Sequence, residues 1–327
     1  RELWYSSGAG DKITMKVSKF GRVGVLAGGP SNEREISLRS GKAVHEALIQ
    51  ERVNSIFIDV RDDIRSVIRD YKMDVAFIAL HGRFGEDGTL QGILEEAGIP
   101  YTGSGKIASR LAIDKIASKK LFIEKAIPVP RYIAFEKDEL SFGIRRLEDA
   151  FFLGLPIVVK PQLEGSSIGL SIVRQKSDLT DAVEKAFEYG ERAIIEEYID
   201  GRELTVGILD DEPLPVIEIV ARERVYDYKA KYTDPETKYI CPAPIDTAIF
   251  EKAKEFGMLS HKALGCISFS RIDMMMDAEG DLFVLEVNTI PGMTERSLLP
   301  KAAQAIGLNF SQLCIKLIEN VFKIGKV

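Results

Sequence analysis

Three short apolar runs, Val23–Ala27, Ser55–Val60 and Val75–Leu80, separated by helix-length stretches, constrain the first third of this chain more than any other feature. In one of those stretches, Ile36–Gln50, the residues Ala43, Val44, Ala47 and Leu48 fall on a single face at the helical period. Strand-length runs alternating with amphipathic helices make a βαβαβ unit, which predicts a doubly wound parallel sheet covered on both faces. The pattern ends near Tyr101-Thr-Gly-Ser-Gly. One helix is predicted from Lys106 to about Lys125, stopped by Pro128-Val-Pro130, where the proline ring and the missing N–H forbid continuation. Beyond it, strands at Ile157–Lys160, Gly169–Arg174 and Ala193–Tyr198 alternate with helices at Asp178–Tyr189 and Asp246–Leu264, an α+β pattern. The changes of pattern place domain boundaries near residues 103 and 200, giving segments 15–103, 104–200 and 201–327.

The 327 residues suffice for two or three domains with real cores. A formal charge of −6 without clustered Lys and Arg argues against a nucleic-acid partner, because phosphate neutralisation needs such clusters. The longest unbroken apolar run, Val75–Leu80, is six residues, where a membrane helix needs about twenty. Cys241, Cys266 and Cys314 are an odd number at wide spacing, which suits reduced thiols and a cytoplasmic location. Residues 1–14 read as a leader or expression-derived segment, disordered, with Met15 as a start.

Several segments carry candidate chemistry. Gly165-Ser166-Ser167-Ile168-Gly169 fits G-x-S-x-G, but an apolar strand rather than a helix follows, so the hydrolase elbow fails. A strand, a Gly/Ser loop and a second strand instead make a hairpin whose N–H groups and hydroxyls suit phosphates, with Lys160 adding charge. An ordinary surface hairpin is the plainer alternative. Gly103-Ser-Gly-Lys-Ile-Ala108 matches G-x-G-x-x-A but lacks the preceding strand and the following acid of a dinucleotide site. In Arg271–Asn288, a four-residue loop at Ala278–Asp281 would set Ile272, Met274 and Met276 opposite Val287, Leu285 and Phe283 on an apolar face. The other face then carries Asp273 opposite Glu286 and Arg271 opposite Asn288. Facing carboxylates repel unless a cation bridges them, and all-oxygen ligands select Mg²⁺ or Mn²⁺; local pairing of Arg271 on a solvated face is the alternative. Two glycine-rich loops, Gly28–Ser37 and His81–Gly88, leave the same sheet edge, where ligands of open α/β sheets gather.

Taken in order, five segments resemble the ATP-grasp ligases, and within them the D-alanine:D-alanine ligase family, over most of residues 22–325. They are Gly28-Gly-Pro-Ser-Asn-Glu-Arg-Glu-Ile-Ser, Leu80-His-Gly-Arg-Phe-Gly-Glu-Asp-Gly-Thr-Leu-Gln-Gly, Lys160-Pro with Glu164-Gly-Ser-Ser-Ile-Gly, Arg271-Ile-Asp, and Glu286-Val-Asn-Thr-Ile-Pro-Gly-Met-Thr. The resemblance implies an α/β domain followed by a two-part ATP-grasp fold, with ATP and two Mg²⁺ or Mn²⁺ ions between the last two domains. It implies that Lys115, Lys160 and Lys231 contact phosphates under a lid formed by Glu164, Gly165, Ser166 and Ser167. Glu196, Glu197, Tyr198 and Ile199 would line the hinge beside adenine, Glu203 the ribose, and Asp273, Glu286 and Asn288 the metal. Glu33, with Ile36 beside it, would anchor the first D-alanine ammonium, and His81 would lie near its carboxylate. Arg271, the Gly292 N–H, Ser297 and Leu298 would surround the second amino acid and the developing oxyanion, and Ser166 and Tyr232 would bond with Glu33.

The activity so implied joins two D-alanines through a D-alanyl phosphate for peptidoglycan precursors, in a cytoplasmic homodimer. The Lys231-Tyr232 pair favours an amine nucleophile, because related ligases that use D-lactate differ in this loop. Phe84 and Ile290 depart from common family residues and bear on fine preference. Competing readings are a ligase with D-lactate or D-serine as acceptor, a nucleotide-binding regulatory module without turnover, and a serine hydrolase.

Overall fold

The computed structural model describes residues 19–61, 63–142, 147, 149–221 and 236–323. The first sheet is built from β1 (Val23–Gly28), β2 (Ser55–Val60) and β3 (Val75–Ile78), with α1 (Arg34–Gln50), α2 (Ile64–Tyr71) and α3 (Thr89–Glu96) between and after them. Its order is β2-β1-β3 and every pair is parallel, Val23 facing both Ser55 and Val75. Residues of β1 on both faces are fully buried, as a two-sided parallel sheet requires.

The helix expected over 106–125 is two helices, α4 (Lys106–Ile113) and α5 (Lys115–Glu124), because Asp114 interrupts it. Its backbone is extended, and its carboxylate accepts the N–H groups of Ile116 at 3.1 Å and Ala117 at 3.0 Å, capping α5. Gln162 donates to the same oxygen at 2.8 Å, which ties the cap to the next sheet and fixes Lys115 as the first helical residue.

That second sheet contains β4 (Tyr132–Glu136), β5 (Ile157–Pro161), β6 (Ser171–Val173) and, after α6 (Leu179–Phe187), β7 (Arg192–Glu197). The order is β4-β7-β5-β6, all antiparallel, with α6 packed against β5 and β7. The third sheet comprises β8 (Arg202–Leu209), β9 (Glu212–Pro213), β10 (Ile217–Val220) and β11 (Lys238–Ile240), then, beyond α7 (Thr247–Ala263), β12 (Phe269–Met276) and β13 (Leu282–Asn288). It runs β11-β10-β8-β12-β13, with β9 on β8. The last described elements are α8 (Leu298–Ala305) and α9 (Phe310–Lys323). Helix α9 packs on α1, and a single core joins Val23, Val44 and Phe77 of the first unit to Leu209, Leu299 and Leu317 of the last.

The β12–β13 register departs from the expected one partway along. Arg271 opposes Asn288, Ile272 opposes Val287 and Asp273 opposes Glu286, but Met274, Met275 and Met276 oppose Val284, Phe283 and Leu282. The connecting loop is 277–281 rather than four residues, closed by Asp277, whose carboxylate accepts the N–H groups of Glu279 and Asp281. A bulge after Asp273 absorbs the extra residue. Val284 and Leu282 therefore join the core with Met274, and Leu285 turns to the other face.

His261 of α7 is fully buried, with Nδ1 2.7 Å from Ser270 Oγ and Nε2 3.5 Å from the exposed Asp211 carboxylate. Burial pushes its pKa down to about 4, against the raising influence of Asp211. In the unfolded chain the ring titrates near 6.5, so the unfolded state binds the extra proton between these values and stability falls as pH drops through that window. From pH 7 to pH 4.5 this histidine is expected to remove about 2 kcal/mol of unfolding free energy. Urea unfolding at both pH values checks it, since a His261→Gln chain should lack that part of the decline.

Candidate active site

Two cavities meet inside the molecule. One, of about 700 Å³, lies between the second and third sheets and is lined by Val158, Lys160, Ile172, Tyr198, Ile199, Glu203, Met275 and Leu285 among others. The other, of about 630 Å³, is lined by Glu33, Ile36, His81, Gly165, Ser166, Arg271, Asn288, Gly292, Ser297 and Leu298 among others. Lys115, Glu164 and Glu286 border both. The bulge in β13 explains part of this arrangement, because it presents Leu285 and Glu286 side by side to the cavities, where strict alternation would bury one of them.

At the junction, Lys115 donates to the Glu164 carbonyl, and its Nζ lies 3.7 Å from Glu286 Oε2. Burial pushes the Glu164 carboxyl up, opposed by the charges of Arg83 and Lys115. Deeper in the first cavity, Lys160 Nζ is 2.7 Å from Glu196 Oε2, and Lys119 Nζ is 3.0 Å from Glu196 Oε1. Glu196 was expected at the hinge, but its carboxylate is buried between these two ammonium groups, which hold it below the usual range against the cost of burial. Burial is also the main reason that Lys119 is lowered to about 8. Sequence reasoning missed Lys119; its signal is the four-residue spacing from Lys115, which puts both on one face of α5. The Glu197 carboxylate turns to Arg131, accepting its backbone N–H at 2.8 Å and its Nε–H at 2.6 Å. Glu203 sits on β8 opposite Met275.

The loop carrying Gly165, Ser166 and Ser167 joins antiparallel β5 and β6, so G-x-S-x-G lies on a hairpin and not on a strand-to-helix elbow. Ser166 and Ser167 adopt φ of +49° and +59°, and Ser166 Oγ donates to Glu33 Oε1. Glu33 occupies the residue before α1 and is buried. Gly82 has φ +68°, a left-handed conformation that favours glycine, and lies so close that a Cβ there would stand 2.8 Å from Glu33 Oε2. Ser31 links the two glycine-rich loops by accepting the Glu33 N–H and donating to the His81 carbonyl at 2.6 Å.

His81 is buried, with Nδ1 3.0 Å from the Ile290 carbonyl and 3.3 Å from Glu86 Oε1, and Nε2 3.1 Å from Ser40 Oγ. Burial pushes its pKa down, but Glu86, Glu33 and the Ile290 carbonyl outweigh that and leave it raised. Sequence reasoning gave neither Ser40 nor Glu86 a role, although Glu86 lies in the glycine-rich His81–Gly88 loop. Arg271 holds Asp273 in a two-point pair at 2.8 and 2.7 Å, and Thr205 Oγ1 donates to the same carboxylate at 2.7 Å. Asn288 Oδ1 accepts the Ile290 N–H at 2.9 Å. The oxygen donors Asp273, Glu286 and Asn288 share one face of the hairpin, two carboxylates and an amide, a set chemically suited to Mg²⁺. Among the described residues no three Asp, Glu, His or Cys side chains converge on one point. A Cβ at Gly292 would stand 3.0 Å from Ser297 Oγ, and Leu298 opens α8 beside it. Lys231 and Tyr232 lie outside the described residues.

The chain matches the family profiles for the D-Ala–D-Ala ligase N-terminus over residues 60–104 and for the D-Ala–D-Ala ligase C-terminus over residues 121–319. It is 45% identical over 307 residues to the D-alanine–D-alanine ligase of Citrifermentans bemidjiense, covering 94% of this chain and 98% of that one. To the enzyme of that name from Pelotomaculum thermopropionicum it is 46% identical, over 91% of this chain and 96% of the relative. Among solved structures, D-alanine–D-alanine ligase from Bacillus anthracis complexed with ATP superposes with a TM-score of 0.81 at 34% identity, covering 93% of this chain and 98% of the other. VanG D-Ala:D-Ser ligase from Enterococcus faecalis gives 0.78 at 34% identity, over 92% and 99%. Matched along nearly its whole length in sequence and in fold, the chain belongs to the D-alanine–D-alanine ligase family.

Proposed function

We propose that this protein is an ATP-dependent ligase that joins two D-alanines for peptidoglycan precursor synthesis, releasing ADP and phosphate. The observation that carries the reading is the meeting of two cavities at Lys115, Glu164 and Glu286. A nucleotide in the first would direct its terminal phosphate to the point where an amino acid in the second presents its carboxylate.

In this reading the apolar walls Val158, Ile172, Met275 and Leu285 take the adenine, with Tyr198 and Ile199 at its edge and Glu203 at the ribose. Lys115 and Lys160 meet the phosphates, and the Gly165–Gly169 loop covers them. Asp273, Glu286 and Asn288 would hold Mg²⁺, which supplies neutralisation of phosphate charge when bound. Glu33 holds the ammonium of the first D-alanine beside His81. The carboxylate oxygen of that D-alanine then attacks the γ-phosphorus as the bond to ADP breaks. The amine of the second D-alanine attacks the resulting acylphosphate carbonyl, Arg271 and the Gly292 N–H stabilise the oxyanion, and phosphate leaves as the amine loses a proton. Lys231 and Tyr232 belong to this reading by resemblance alone. So do a second metal ion and a homodimer, whereas the domain limits 15–103, 104–200 and 201–327, a cytoplasmic location and the absence of nucleic-acid or membrane partners belong to it on the sequence patterning, charge, cysteine usage and short apolar runs. Among the described residues no helix is long and apolar enough to cross a membrane.

Phosphate release with ATP, Mg²⁺ and a panel of D-alanine, D-serine and D-lactate tests the reading. Turnover should require D-alanine in the first position and be fastest with D-alanine as acceptor; ADP formation independent of D-alanine would refute it. Arg271→Ala is expected to raise the barrier by about 3 kcal/mol, at least a hundredfold in rate, measured as dipeptide formed. Ser166→Ala unties the loop from Glu33, so more ATP should be consumed per dipeptide as water reaches the acylphosphate. Parallel assays of ADP and dipeptide check this.

A further inference from the structure

The turn that carries Gly292 is gripped at both ends by residues of the amino-terminal unit. His81 Nδ1 lies 3.0 Å from the Ile290 carbonyl oxygen, and the Met293 N–H donates to Ser40 Oγ at 3.3 Å. Ser40 Oγ and His81 Nε2 are 3.1 Å apart, so the two grips are joined through the imidazole ring. Ile290 and Met293 flank Pro291-Gly292, and Ser40, His81, Ile290 and Met293 are each less than 5% exposed. Buried contacts of this kind have no water to compete with them.

The proton positions follow from the acceptors. His81 Nδ1 faces two oxygens, the Ile290 carbonyl and Glu86 Oε1 at 3.3 Å, neither of which suits a bare nitrogen, so Nδ1 carries a proton. Ser40 Oγ accepts from Met293, and in the neutral ring its own proton points to Nε2. Ser40 comes from α1 and His81 from the loop after β3, whereas the turn follows β13. One unit thus sets the backbone direction of another.

We propose that Ser40 is a positioning residue for the condensation step: with His81 it fixes the Ile290–Met293 turn so that the Gly292 N–H stays aimed at the oxygen that becomes negative. This rests on the ligase reading above and on Gly292 as the oxyanion donor. An oxyanion donor works only if it is already in place, and a shift of about 1 Å costs on the order of a hundredfold in rate. Ser40 is also at the wall of the second cavity, but in this account it touches no reacting atom and acts through the backbone of the turn.

The test is Ser40→Ala in the full chain. Dipeptide turnover should fall at least tenfold with the KM for ATP within twofold of wild type. ADP formed per dipeptide should rise well above one, because the acylphosphate forms normally but waits longer for the amine. A general loss of folded protein would lower both products together and leave their ratio unchanged. A folded Ser40→Ala chain whose turnover and ratio both stay within twofold of wild type overturns the proposal. Nitrogen-15 spectra of the unaltered protein give a second check that needs no variant: His81 Nδ1 must be protonated, and a bare Nδ1 overturns the clamp. A wild-type chain that makes no dipeptide at all sinks the ligase reading itself, an outcome distinct from active wild type with an unaffected Ser40→Ala.

Discussion

The irregular strand pairing of β12 with β13 is the constraint on which the site depends. Regular pairing from the same Asp273 and Glu286 contact would put Leu285 in the core, leaving Glu286 without an apolar neighbour facing the cavities. The bulge after Asp273 instead keeps Asp273 opposite Glu286 while turning Leu285 outward beside it. An apolar side chain and a carboxylate facing the cavities thereby come from neighbouring residues of one strand. Glu286 then faces Lys115, whose position is set independently by the Asp114 cap. Two backbone irregularities, one in a ladder and one in a helix, converge on the same point.

Charge is organised around that point in layers. Nearest the junction, Lys115 is shared by the Glu164 carbonyl and the Glu286 carboxylate. Beneath it, Glu196 lies between Lys160 and Lys119. A carboxylate buried between two ammonium groups leaves a net positive charge beside the first cavity. On the amino-acid side, the Ser166 contact with Glu33 ties the β5–β6 loop to the amino-terminal unit. The His81 and Ser40 contacts tie that unit to the turn after β13. All three parts of the chain therefore contribute to one chamber.

Much of this was legible in the residues. The period-two pattern of Arg271–Asp273 and Glu286–Asn288 gave the observed pairing of those residues, because side chains on one face of a hairpin must alternate. The three apolar runs gave the parallel sheet, since strands buried on both faces read as unbroken hydrophobic segments. The rest depended on contacts that no local pattern encodes. The bulge follows from a loop one residue longer than assumed, closed by the Asp277 carboxylate. The helix break at Asp114 is stabilised in part by Gln162, which is distant in sequence. Resemblance alone put Glu196 at the hinge, and its burial depends on pairing with Lys119 and Lys160, which no local pattern shows. Ser40 reads as an ordinary small residue of α1, and only the folded chain brings His81 and Met293 to it.

The central claim is that a carboxylate in one cavity takes a phosphoryl group from a nucleotide in the other, across the Lys115 and Glu286 junction. The most direct measurement uses D-alanine labelled with oxygen-18 in its carboxylate, together with unlabelled ATP. If the carboxyl is activated as an acylphosphate, one labelled oxygen leaves with the phosphate, and mass spectrometry of the released phosphate shows a single oxygen-18. Phosphate released without label, while labelled dipeptide forms, would contradict the account.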